Sequence, residues 1–176
     1  MLSTKDEVLS KFKPMMAKII ALKRTSGRIV IRIDGGESNS TAFKEYCRNQ
    51  GWQIQVTTPH CSYQNGGVER YFQTLFSLAR ANMHQCNCPR TLWGEAVKYV
   101  NILHNNLPSI RDSSKTPFEL LGWDQLSVDK FHVFGSIAYV GVPAGSRKAG
   151  EKHLGPRALK MYYIGPDEDS KADRFL

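Results

Sequence analysis

Two acidic side chains stand where predicted elements begin or end, and together they could do chemistry. Asp34 follows the run "RIVIRI", which alternates basic and β-branched residues like a half-buried strand. Glu69 lies in "GGVER", at the start of a helical pattern. Open α/β sheets place their chemistry at the carboxyl ends of strands, as at Asp34. Two such carboxylates could hold Mg²⁺ ions, which stabilise the attacking and leaving oxygens of a phosphoryl transfer.

Each carboxylate also has an ordinary local role. An aspartate before Gly35 and Gly36 is a common turn. A glutamate in the first turn of a helix is favoured by the helix dipole, by about 0.3–1 kcal/mol. The spacing of Asp34 and Glu69 by itself favours these local roles over a shared metal site.

The elements that must position these residues alternate between helix and strand. In chain order the patterns predict a helix at 5–24, a strand at 28–33, a helix at 41–49, a strand at 52–57, a helix from 68, a helix at 93–107 and a short helix in "KTPFELL". Pro14 should kink the first helix or begin a new one, and Gly51 should end the second. This alternation indicates an α/β sheet with at least partly parallel strands.

The pattern changes after Trp123, where "FHVFGSIAYVGVP" and "LKMYYIGP" read as strands around a basic loop at 144–160. We therefore predict two domains, an α/β core at 1–122 and a small basic β-rich region at 123–176. The core has two predicted strands, but a stable sheet usually needs three or more. Further strands are expected on its N-terminal side.

The composition favours a polyanionic partner. Lys and Arg outnumber Asp and Glu by 24 to 16, which gives a formal charge of +8. The longest apolar run, near "MMAKIIAL", is far shorter than the roughly 20 residues of a membrane span, so no membrane partner is expected. Cys86 and Cys88 are too close for a zinc knuckle, and reduced thiols in an intracellular protein are the simpler expectation.

The segment "RIDGGESNSTAFKEYCRNQGWQIQVTTPHCSYQNGGVER" closely resembles the catalytic core of copia-type LTR retrotransposon integrases. The likeness continues through "LWGEAVKYVNILHNNLPS", "KTPFELLGW", "FHVFGSIAYV" and "YYIGPDEDSKADRF", in the family's order. It implies an RNase H-like core with a β-rich extension. It also implies that Asp34 and Glu69 are the second and third members of an Asp-Asp-Glu triad that binds Mg²⁺ or Mn²⁺. The first Asp of that triad would precede Met1, so the resemblance implies an N-terminally truncated integrase.

Three departures from the family pattern concern the site itself. The family's Asn after the second Asp is absent, because Gly35 follows Asp34 directly. The loop "PHCSYQNG" has one proline and one glutamine fewer than the family's. The residues at 71–74 replace an expected Asn-Arg-Thr, which removes a basic side chain from a helix expected to face DNA.

Basic residues predict where nucleic acid would bind. The candidates, which share a cationic or amide side chain near the motifs above, are Asn65, Arg70, Arg80, Arg147, Lys148, Lys152, Arg157 and Lys160. Neutralising several phosphates would give affinity that depends steeply on salt. A solvated charge run is the alternative. The resemblance implies element DNA ends and target DNA as partners, homo-oligomerisation, and a nuclear or other intracellular location.

Three hypotheses follow for function. In the first, the chain is the C-terminal part of an integrase whose intact parent carries out metal-dependent polynucleotidyl transfer, and the chain alone is inactive. In the second it is a non-catalytic, domesticated nucleic-acid-binding protein. In the third it is an untranslated relic whose assigned start misses an upstream exon.

Overall fold

The computed structural model describes residues 5–22, 28–33, 40–57, 65–108, 114–146, 155–167, 170 and 172–176. The chain divides into two compact units. Unit 1 comprises Met1–Phe72 with Leu121–Trp123, and unit 2 comprises Gln73–Leu120 with Asp124–Leu176. The domain boundary at Trp123 stays a prediction.

Unit 1 contains helix α1 (Lys5–Leu22), strand β1 (Val30–Ile33), helix α2 (Thr41–Asn49), strand β2 (Gln53–Val56) and the start of helix α3 (Gly66–Gln85). Strands β1 and β2 pair in parallel, as their connection through a helix predicted. Helix α1 runs on through Pro14, so no new helix begins there.

The core of unit 1 lies between this sheet and helix α2. Ile33, Phe43 and Cys47 are buried, and Phe12 and Trp52 pack against them. The ring of Phe12 lies 4.8 Å from that of Phe43 and 6.2 Å from that of Trp52, measured between centroids. Ile33 is buried and Ile31, two positions earlier on the same face, is half-buried, so this face of β1 is the better covered one, as predicted.

Helix α2 begins and ends with local signals. The Ser40 side chain accepts a hydrogen bond from the Phe43 N–H (3.3 Å), as an N-cap does. At the other end Gly51 has φ +71°, and the Trp52 N–H donates to the Cys47 carbonyl (2.9 Å). This arrangement is a Schellman ending, which confirms Gly51 as the stop.

Unit 2 holds the remainder of α3, helix α4 (Trp93–Asn106), most of the short helix α5 (Pro117–Leu121) and an antiparallel sheet. The sheet has the order β3-β4-β5, with strands β3 (Ile137–Gly141), β4 (Ala158–Pro166) and β5 (Asp173–Phe175). Strands β3 and β4 match the sequence prediction. Strand β5 has three residues, too few to show a periodic pattern, and the sequence prediction missed it.

Helix α4 packs on strand β4 around three aromatic rings. Tyr99, Phe134 and Tyr163 are all buried. The ring of Tyr99 lies 5.5 Å from that of Phe134 and 6.3 Å from that of Tyr163. An ion pair between Arg174 and Glu95 (2.7 Å) ties strand β5 to the same helix.

The cysteines differ from expectation. The Cys86 and Cys88 sulfur atoms are bonded to each other in the turn that follows α3, so the expectation of reduced thiols is wrong for this pair. Cys47 is free and buried, and burial raises the pKa of its thiol. None of the described helices is both long and apolar enough to cross a membrane.

Candidate catalytic and nucleic-acid-binding site

Asp34 lies outside the described residues, so its distance from Glu69 stays a prediction. The strand that leads to it is well defined. Ile33 is buried at the carboxyl end of β1, and its carbonyl accepts a hydrogen bond from the Thr57 N–H (2.9 Å) just past β2. The carboxyl ends of the two parallel strands therefore lie side by side, in the arrangement at which α/β sheets place their sites.

Glu69 lies in the first turn of helix α3, as the sequence predicted. Its side chain is exposed, so its carboxylate is accessible from solvent. A carboxylate oxygen is the donor type that Mg²⁺ prefers. No group of three His, Cys, Asp or Glu side chains placed to hold a metal ion occurs among the described residues. A metal site that includes Glu69 thus depends on Asp34 and on ligands beyond the described part of the chain.

A groove of about 390 Å³ adjoins the first turn of α3. It lies between that turn and the outward face of the β1–β2 sheet, and its lining residues are Val30, Arg32, Gln55, Asn65, Gly67 and Val68. The Arg32 guanidinium donates to Gln55 Oε1 (3.1 Å) across the two strands. The groove thus brings Asn65, a predicted nucleic-acid ligand, together with a cation that sequence reasoning did not select.

The alternation of basic and β-branched residues in "RIVIRI" could have identified Arg32 from the sequence. Residues two apart in a strand share a face, so Arg32 shares one with Val30, opposite to buried Ile33. A guanidinium can donate two parallel hydrogen bonds to phosphate oxygens, and the free N–H groups at the start of a helix favour anions. A Cβ built at Gly66 or Gly67 meets nothing within 4 Å, which leaves the backbone there open to a ligand. The arrangement suits a phosphodiester.

The two predicted arginines of helix α3 belong to different units. Arg70 is exposed next to Glu69 in unit 1. Arg80 is exposed in unit 2, where it lines a second groove of about 660 Å³ together with Phe76, Arg90 and Trp93. Arg90 is a second cation of this groove that the sequence prediction did not include.

The remaining basic candidates fall in the C-terminal region. Arg157 is exposed directly before strand β4, and Lys160 is exposed within it. Lys160 stands opposite Tyr139 of strand β3. Arg147, Lys148 and Lys152 lie outside the described residues, and their roles stay predictions.

We next compared the chain with known proteins. No family model matches the chain. The chain is 31% identical over 167 residues to the Retrovirus-related Pol polyprotein from transposon TNT 1-94 of Nicotiana tabacum. That match covers 93% of this chain but 12% of the polyprotein, so the chain spans about an eighth of this curated relative.

The fold is similar to that of a chain in the cryo-EM structure of the simian T-cell lymphotropic virus intasome in complex with the PP2A regulatory subunit B56 gamma. The TM-score is 0.50 at 17% identity, and the match covers 99% of this chain and 62% of that one. At this identity the likeness concerns the fold alone. The polyprotein match and this likeness of fold support an integrase-related region with a mixed α/β fold.

Proposed function

We propose that the chain is part of a copia-type integrase that joins element DNA ends to target DNA. The observation that carries this proposal is the exposed Glu69 in the first turn of α3, beside a groove suited to a phosphodiester. The integrase relatedness of the chain supports it. An RNase H-like arrangement of the core belongs to the same proposal.

Asp34 and Glu69 are the proposed ligands for Mg²⁺ or Mn²⁺, with a third carboxylate from the upstream strand that the resemblance implies. The bound ions would polarise the phosphodiester and lower the pKa of the attacking hydroxyl. This chain's own side chains bind and orient the DNA. Arg32 and Asn65 hold the phosphate beside Glu69, while Arg70 neutralises a neighbouring phosphate. Holding the reacting groups in place can supply a large share of such catalysis.

The proposed partners are element DNA ends and target DNA, with a second copy of the chain. A nuclear or other intracellular location is proposed on the same basis. Arg80 of α3, Arg157 just before β4 and Lys160 within β4 are exposed, which supports contact with a nucleic acid backbone. The excess of eight positive charges favours the same partner.

The test supplies the proposed third carboxylate. The chain is joined to an upstream segment that carries the first strands and first Asp of a copia-type integrase, and nicking of a supercoiled plasmid is followed in Mn²⁺. We expect nicking that Glu69→Gln abolishes, because the amide keeps the shape of the side chain but loses its charge. Asp34→Asn should abolish it too.

The matched control is Glu45→Gln, since Glu45 is exposed on helix α2 of the same unit. This variant should keep full nicking activity. Equal activity in the Glu69→Gln and Glu45→Gln proteins would contradict the catalytic role. DNA binding without nicking by any form of the joined protein would favour the second hypothesis, a non-catalytic nucleic-acid-binding protein.

A further inference from the structure

The C-terminal sheet presents an aromatic face that no role above uses. Residues two apart in a strand share a face, and the register of β3 and β4 groups six of them. Ile137 stands opposite Tyr162, Tyr139 opposite Lys160, and Gly141 opposite Ala158. We call these six residues the tyrosine face. Tyr139 is 73% exposed, Ile137 55% and Tyr162 46%, so large apolar groups on this face meet solvent.

The other face of the same two strands is better covered. Ala138, Val140 and Met161 are half-buried there, and Leu159 is exposed. The sheet therefore has one side turned toward the interior of unit 2 and one side open. Exposed tyrosines concentrated on one side of a sheet are unusual for a surface with a purely structural role, since large aromatic groups gain from burial.

The charge of the tyrosine face is positive. Lys160 is its one charged residue. None of the six residues is acidic. Aromatic rings next to cations match a ligand that offers both flat rings and phosphates. A nucleic acid strand with unpaired bases has both, whereas the bases of a duplex are already stacked on one another.

The spacing of the rings also fits such a strand. Tyr162 is the diagonal neighbour of Tyr139 across the pair, because Tyr139 faces Lys160 directly. Diagonal positions lie about 7–8 Å apart, within reach of aromatic side chains. Successive unpaired bases can therefore stack on the two rings while the Lys160 ammonium meets the phosphate between them.

We propose that the tyrosine face binds an unpaired stretch of DNA by stacking bases on Tyr139 and Tyr162. The choice of DNA rests on the proposed integration function. The face would hold single-stranded DNA near a DNA end, separately from the duplex contacts of helix α3.

The test uses the full chain and fluorescence anisotropy with three labelled probes: a 15-nucleotide single strand of DNA, the same sequence as duplex DNA, and the same sequence as RNA. Tyr139→Leu and Tyr162→Leu should each weaken single-strand binding about tenfold, since stacking on one aromatic ring contributes about that much. Duplex affinity should change less than twofold. Tyr139→Phe keeps the ring and should bind like the original chain.

Leu159→Ala is the matched control, because it changes an exposed residue of β4 on the opposite face. It should leave single-strand binding unchanged. Unchanged single-strand affinity in the Tyr139→Leu, Tyr162→Leu double variant overturns the proposal. So does an equal loss for single strand and duplex, tighter binding of RNA than of DNA, or a double variant whose sole change is less self-association.

The proposal and the integration function fail differently. If the joined protein does not nick DNA, but single-strand binding depends on Tyr139 and Tyr162, the integration function is contradicted and the proposal for the tyrosine face stands. If the joined protein nicks DNA but the Tyr139→Leu, Tyr162→Leu double variant binds single strands as tightly as the original chain, the tyrosine face alone is contradicted.

Discussion

At the scale of single residues, Asn106 is a polar group that the core of unit 2 requires. Its side chain is 2% exposed at the end of helix α4. Its amide nitrogen donates to the Ile102 carbonyl (2.8 Å), and its Oδ1 accepts from the Leu126 N–H (2.7 Å). The second bond joins residues twenty positions apart. A loop that returns to the helix is thus fixed by one side chain.

Asn106→Leu should lower the free energy of unfolding by about 1–3 kcal/mol, because the Leu126 N–H would be buried without an acceptor. Urea unfolding followed by circular dichroism measures this loss. Asn105→Leu is the control. Asn105 is half-buried and bonds within its own helix, to the Asn101 carbonyl (3.0 Å), so its replacement should cost less than about 0.5 kcal/mol. Equal losses in the two variants would contradict the role given to Asn106.

Tyr163 makes stability depend on pH at the alkaline end. Burial raises the pKa of its hydroxyl from 10.0 to about 12. The unfolded chain therefore loses this proton first, and the associated stability, fully present below pH 10, is lost as pH rises toward 12. The effect is on the order of 2–3 kcal/mol for two units of pKa.

Unfolding free energies measured between pH 9 and pH 12 should show this decline. Tyr163→Phe should remove the part of this decline that comes from the Tyr163 proton, because the phenyl ring has no group that titrates. A slope that is the same in the Tyr163→Phe protein and in the original chain would refute the assignment to Tyr163.

At the scale of elements, helix ends follow local rules that glycine substitutions can test in both directions. Gly51 ends α2 with a positive φ, whereas Gly94 lies in the first turns of α4 with an ordinary φ. A Cβ added at either position meets nothing within 4 Å. The two substitutions therefore differ in backbone conformation and not in steric contact.

Gly51→Ala should destabilise the chain by about 1 kcal/mol, since an L side chain in the left-handed region is strained. Gly94→Ala should stabilise it, by up to about 0.8 kcal/mol, because alanine is the better helix former. Thermal unfolding of the two variants and of the original chain shows whether each substitution raises or lowers stability. A stabilising Gly51→Ala would show that α2 does not end in a Schellman motif.

Helix α3 shows how an apolar pattern can mislead. Its apolar residues recur at helical spacing, but only Leu75 and Ala79 are buried among its described side chains. Val68, Phe72 and Phe76 are 56%, 48% and 44% exposed. Periodicity identifies which residues share a side of a helix. Whether that side is covered depends on what packs against it.

At the scale of the whole molecule, the charge balance governs binding to nucleic acid. Contact with about four phosphates gives a plot of log affinity against log salt with a slope near −3 to −4. Arg70→Gln with Arg80→Gln should bring that slope about two closer to zero, because each exposed arginine releases about one counterion. Duplex binding measured from 50 to 300 mM salt checks this. A flat slope in the original chain would rule out phosphate contacts as the basis of affinity.

Exposed apolar groups of unit 1 predict association. Val30, Val56, Met15 and Ile20 are each between 43% and 47% exposed. The described part of unit 1 also has two strands, fewer than a stable sheet usually needs. We expect the isolated chain to self-associate in sedimentation at micromolar concentration, and joining the upstream segment to reduce this. Ile29 and Ile31 are half-buried, so their side chains too lack full cover. A monomer at all concentrations tested would contradict the expectation.

The sequence by itself determined the features that depend on neighbouring residues. The Ser40 cap, the Gly51 stop, the strands around Ile33 and Ile54 and the position of Glu69 in the first turn of α3 all follow from local propensity and spacing. The motifs from Asp34 to Arg70 also indicated an integrase, which the comparisons support.

The tertiary structure decided what depends on residues far apart in the chain. The bond from the Leu126 N–H to Asn106, the pairing of Tyr139 with Lys160, the ion pair of Arg174 with Glu95 and the groove that joins Arg32 to Asn65 are all of this kind. No local pattern encodes them, because a hydrogen bond or a groove requires two segments whose approach is set by the packing of everything between them. The same packing decides which apolar faces stay open, as it does for α3 and for the tyrosine face.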